Sequence, residues 1–130
     1  MKYMMLIYAN QAEAPKYTLE EQQAVAKAWY AFGEEAQAAG VLLYNDGLAP
    51  ITNATTVRVR NGKTVVSDGP FAETHEQLGG YYMLECKDLD EAIAWAAKIP
   101  GAKFGTIEVR PVNVFTQARD AKDAKEALKG

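Results

Sequence analysis

Residues 2–9, KYMMLIYA, are apolar almost without a break. That pattern predicts a strand covered on both faces, since a strand with one wet side alternates. A polar loop with Pro15 follows, and Thr18 with Glu21 makes a capping box opening a helix that runs to about Ala39. Val25, Trp29, Phe32 and Ala36 form the apolar stripe of this helix and Gly40 its stop. VLLYNDGLAP (41–50) reads as a second strand, interrupted by Asn45, Asp46 and Gly47 as by a bulge or bend. Val57 and Val59 then alternate with Arg58 and Arg60, Asn61-Gly62 suits a type I′ turn, and KTVVS (63–67) returns, which predicts a hairpin. GGYYMLECK (79–87) gives another strand. Asp88 and Glu91 cap a second helix with the inner stripe Ala92, Trp95, Ala96 and Ile99, ended by Pro100-Gly101. GTIEVRPVNVF (105–115) is the last strand.

This order predicts an α+β fold: a ferredoxin-like antiparallel sheet with two helices on one face and an inserted β-hairpin. The domain is expected over 1–115. The remainder, 116–130, is a polar tail with Leu128 as its one large apolar residue, compatible with a helix that buries little. Two helices leave one sheet face bare, yet the first strand is apolar on both sides. A homodimer that packs sheet against sheet is therefore expected.

Composition narrows the function classes. At 130 residues and 48% apolar content, one core is expected. A net charge of −3 without a basic block argues against a nucleic-acid partner. The apolar run at the amino terminus is too short for a signal peptide or a membrane span. Cys86 is alone, which excludes an intrachain disulfide and a cysteine zinc cluster and fits a reduced, cytoplasmic setting. No nucleotide-binding glycine fingerprint occurs, and no cofactor is expected.

SDGPFAETHEQLGGYY (67–82) fits neither a helical nor a strand period. Together with GLAP (47–50) and EVRPV (108–112), it resembles the DGPF-type branch of the YCII-related proteins. The resemblance implies a dimeric α+β barrel, in which two ferredoxin-like sheets face each other. It also implies a link to extracytoplasmic-function sigma factors, and one YCII relative is similar to a dechlorinating enzyme of aromatic degradation. A proposed catalytic pair of the small YCII members, a His on the first helix and an Asp after the second, has no match here. Trp29-Tyr30 and Ile99-Pro100 stand near those places, and His75 stands where the DGPF pattern has Lys.

Among candidate site residues, Asp68 and His75 are the acid–base pair to test: one offers a carboxylate, the other a side chain that titrates near neutrality. Asp68, Gly69 and Pro70 equally suit a turn, and His75 equally suits an exposed loop. One His among carboxylates makes a weak metal site, and none is expected. Tyr81 and Tyr82 should point to opposite sheet faces, one toward the helices and one toward the dimer cavity. Gly80, with Gly79, permits close backbone approach. Glu108 and Arg110 share a strand face and suit either a polar ligand or a structural ion pair. The favoured expectation is a dimer that binds a small organic ligand near the 67–82 stretch. A small enzyme using Asp68 and His75 and a regulatory interaction partner are the alternatives.

Overall fold

The computed structural model describes residues 1–113; the polar tail of the sequence reading lies outside them. In chain order the elements are β1 (Lys2–Ala9), α1 (Leu19–Ala38), β2 (Leu42–Gly47), β3 (Thr55–Arg60), β4 (Lys63–Asp68), β5 (Gln77–Glu85), α2 (Leu89–Lys98) and β6 (Thr106–Pro111). Short 3-10 turns lie at Gln11–Glu13, Ile51–Asn53 and Pro100–Lys103. The main sheet runs β2-β5-β1-β6 with every pairing antiparallel, which is the ferredoxin-like order; β3 and β4 form a separate ribbon.

Capping starts α1 as expected. The Thr18 hydroxyl accepts from the Glu21 N–H, and the Glu21 carboxylate accepts from the Thr18 N–H, so two orphan donors are satisfied together. Asp88 does the same work for α2 by accepting from the Glu91 N–H at 2.9 Å. Both helices lie on one face of the sheet. Phe32 and Ala36 from α1 and Ala92 and Ala96 from α2 enclose Tyr3, Met5, Tyr82 and Leu84, and this layer is the core. In the hairpin, Asn61 and Gly62 both take positive φ, 52° and 75°, as a type I′ turn requires.

Alternation in β1 sends Tyr3, Met5 and Ile7 to the helices and Met4, Leu6 and Tyr8 to the opposite face. Residues paired across strands share a face, so the register puts Met83 and Tyr81 of β5 and Tyr44 and Asp46 of β2 on that second face. Met83 is only 5% exposed although no helix covers it. The apolar character of β1 on both sides is thus real, and one of those sides lacks a layer among the described residues.

Two irregularities bend the sheet. In β2 the register slips at Leu43, between Leu42 and Tyr44, whereas Asn45, Asp46 and Gly47 pair regularly with Tyr82, Tyr81 and Gly80. The expected interruption at Asn45–Gly47 is therefore displaced toward the start of the strand. A second bulge lies between β1 and β5, where Ile7 opposes Gly80 and Tyr8 opposes Leu78, so Gly79 is the extra residue.

Candidate functional site

At Gly80 the backbones of β2 and β5 approach closely. A Cβ there would stand 3.0 Å from the Asp46 carbonyl oxygen, too tight for an ordinary side chain. This approach aligns Asp46 with Tyr81 across the strands, and the Tyr81 phenol donates to Asp46 Oδ2 at 2.9 Å. That hydrogen bond, ahead of desolvation, raises the Tyr81 pKa above the usual phenol value, so Tyr81 stays a neutral donor. As strand alternation predicts, the two tyrosines point to opposite faces of the sheet. Tyr82 turns to the helices, its ring parallel to Trp29 within 3° at 6.3 Å and edge-on to Phe32, and burial raises its pKa.

At the β5 bulge, on the helix side of the sheet, Trp29, Tyr82, Ile7 and Gln77 line a cavity of about 370 Å³. The strands β2 and β5 border it at Asp46 and at Gly80–Tyr81, with the Asp46 and Tyr81 side chains turned to the other face. Asn45 and Gln11 add two more amides to its lining. Gln11 and Gln77 are held in turn: the Gln11 N–H donates to Gln77 Oε1 at 2.9 Å, and Gln11 Oε1 accepts from the Ile51 N–H at 3.0 Å. The Gln77 amide also donates to the Thr74 carbonyl at 2.6 Å, which pins the 70–76 loop to the start of β5.

Gln77 lines a second cavity too, of about 640 Å³, on the sheet face away from the helices. Leu48, Ala49 and Pro50 form one side of it; Pro70, Phe71 and Ala72 form the other, and Leu78 and Tyr8 make the floor. Two of the motifs that carry the sequence resemblance thus meet across one hollow. Glu76 supplies its carboxylate, which accepts from the Thr106 hydroxyl at 2.7 Å.

Asp68 and His75 are both exposed and line neither of these cavities. Asp68 ends β4, and no hydrogen bond to its carboxylate forms among the described residues. The turn there is built by backbone: Gly69, with φ 87°, donates its N–H to the Ala54 carbonyl and accepts from the Thr56 hydroxyl. Glu108 and Arg110 share the face away from the helices, opposite Leu6 and Met4. They form no ion pair with each other; Glu108 accepts from the Tyr8 phenol at 3.3 Å instead. Desolvation first, and then the Glu108 charge, raise the pKa of Tyr8. Gly80 and Tyr82 therefore meet on the helix side, Tyr81 shares the opposite face with Glu108 and Arg110, and Asp68, Gly69 and His75 belong to the loop side.

Sequence reasoning missed Asp46, Gln77, Gln11 and the wall made by Trp29. Asp46 sits in an Asn-Asp-Gly run that reads as a turn, and only strand register shows that it faces Tyr81. Trp29 reads as core because it falls on the buried helical stripe. Among the described residues, no three His, Cys, Asp or Glu side chains gather closely enough to hold a metal ion, and no helix is long and apolar enough to cross a membrane.

A ferredoxin-like α+β layer with a hollow at the junction of its central strands defines the class. The chain belongs to the YCII-related domain family, which matches residues 1–116. Uncharacterized protein R00369 of Rhizobium meliloti (strain 1021) is 38% identical over 117 residues, covering 88% of this chain and 94% of that protein. Among solved structures, a 5-chloro-2-hydroxyhydroquinone dehydrochlorinase from Burkholderia phenoliruptrix AC1100, in complex with 2,5-dihydroxybenzoquinone, is similar at 13% identity. Its TM-score is 0.49, with 87% of this chain and 94% of that one covered.

Proposed function

We propose that this YCII-related chain, of the DGPF type, binds a small planar organic molecule with a hydrogen-bonding group at its edge. The site is the cavity between Trp29 and the Asn45, Gln77 and Gln11 amides. The observation that carries this reading is the meeting of an aromatic wall, Trp29 parallel to Tyr82, with these amides in one hollow of about 370 Å³. Small-molecule sites are mostly apolar hollows of roughly 300–1,000 Å³ with a few placed polar groups. A ring would lie against the Trp29 indole while the Asn45 and Gln77 amides, each both donor and acceptor, fix its edge. The 67–82 stretch serves the site by holding Gln77, Gly80 and Tyr81 in place.

The apolar face formed by Met4, Leu6 and Met83 supports a homodimer through the sheet, with Glu108 and Arg110 near its margin. Binding is preferred over catalysis because Asp68 and His75 do not approach the cavity. Calorimetric titration with a panel of one- and two-ring phenols and anilines tests the site. For a phenol or aniline that binds the wild type, Asn45→Ala should weaken affinity about 3- to 10-fold, the usual scale for one neutral hydrogen bond. Asp68→Asn and His75→Lys should leave it within about twofold. Full affinity in Asn45→Ala, or loss in Asp68→Asn at an unchanged melting temperature, moves the site away from Asn45.

A further inference from the structure

The β3–β4 ribbon pairs in register from Thr55 with Asp68 to Arg60 with Lys63. Alternation gathers Val57, Val59 and Val66 on one side, where they are 60%, 61% and 61% exposed. Arg58 and Arg60 point to the other side. The hydrogen bonds among Ala54, Thr56 and Gly69 anchor only the root of the ribbon, beside Phe71, which is 78% exposed. A lone two-stranded hairpin is marginal in water and gains stability from a third strand or a packed face. No described element covers the valine side.

Polarity tells what covers it. Arg58, Arg60 and Lys63 all lie on the other side of the ribbon, and of its charged residues only Asp68, at the root, shares the valine side, so the surface that suits it is apolar. A second copy brings such a surface in its own uncovered sheet face. Size points the same way. Six-residue strands rising about 3.3 Å per residue and spaced about 4.8 Å present roughly 200 Å² on one face of the ribbon, and the four-stranded sheet presents roughly 400 Å². A stable interface takes about 800 Å² per partner, so the sheet face alone falls short. Giving one arm and receiving another brings each copy to about that size.

We propose that the β3–β4 hairpin is an exchanged arm that lays its Val57, Val59 and Val66 side on the body of a second copy. The inference rests on the sheet-face homodimer reading and extends it. Sedimentation equilibrium of the full chain tests it with Val57→Thr/Val59→Thr/Val66→Thr. Threonine keeps the β-branched shape and strand propensity while replacing a methyl by a hydroxyl. The wild type should be a dimer, and the triple variant should dissociate at least about tenfold more readily. Circular dichroism should be unchanged, because the three sites are exposed in the single chain. Leu6→Arg, on the sheet face, separates the two readings. A dimer split by Leu6→Arg but untouched by the threonines overturns the arm alone. A monomeric wild type overturns both, including the case where the valine side is held by a different protein.

Discussion

Cys86 shows how much one residue's neighbourhood changes its chemistry. In the sequence it is a lone thiol; packing makes it 1% exposed within the core that holds Leu84 and Ala92, with its pKa raised mainly by burial and further by Glu91. A thiolate is the reactive form, so both effects slow it. Labelling with a disulfide reagent at neutral pH should be slower than in the unfolded chain by at least about tenfold, and denaturant should restore the ordinary rate. Equal rates in both states would place the thiol outside the core. Residues of this kind were legible only as types. Tyr81 and Tyr82 were assigned to opposite faces from strand alternation alone, but Asp46 acquired its meaning from a neighbouring strand more than 30 positions away, and no local pattern carries that register.

At the scale of elements, the signals that survived are those with a local cause. Thr18 and Glu21 announced the start of α1 because a capping box is complete within four residues, and Asn61-Gly62 announced the hairpin because only certain residues take two positive φ values. Thr18→Ala should cost about 1 kcal/mol, as for lost caps generally, and lower the thermal midpoint by several degrees. An unchanged midpoint would mean that packing of the Phe32 stripe alone sets the start of the helix. Bulges were less legible. Asn45, Asp46 and Gly47 look like a break but pair regularly, while the slip occurs at Leu43, whose identity gives no warning. A bulge is set by how two strands must bend together, which one strand's sequence does not contain.

At the scale of the whole molecule, the order of strands and helices and the bare sheet face followed from patterning, because covering a face is a global demand that each strand's polarity records. The cavity did not, since it forms where three chain segments meet. Its electrostatics predict a pH response. Tyr8, Tyr81 and Tyr82 all have raised pKa values, so each phenol holds its proton more tightly in the folded chain than in the unfolded one. The folded state then binds more protons above the ordinary phenol pKa of 10.0, and stability falls as pH rises through that range, with Cys86, also raised, adding a decline that begins from its ordinary value of 9.0. Thermal midpoints measured from about pH 8 to 11 should show this decline, and Asp46→Asn should make it shallower by removing the main cause of the Tyr81 shift. A midpoint that rises above pH 10 would contradict the assignment.

The extra residue at Gly79 also decides which length changes the chain can absorb. There β5 gains one residue; Leu78 shares the face of Tyr8, and the 70–76 loop leaves on the side away from the helices. Removing Gly79 would leave Gly80 opposite Ile7 and Leu78 opposite Tyr8 in an unbroken ladder, so no side chain would change face and only the local bend would be lost. Lengthening the 70–76 loop alters no parity within the strand either. An insertion in the loop and a deletion at the bulge are therefore both length changes that this fold absorbs while every paired side chain keeps its face.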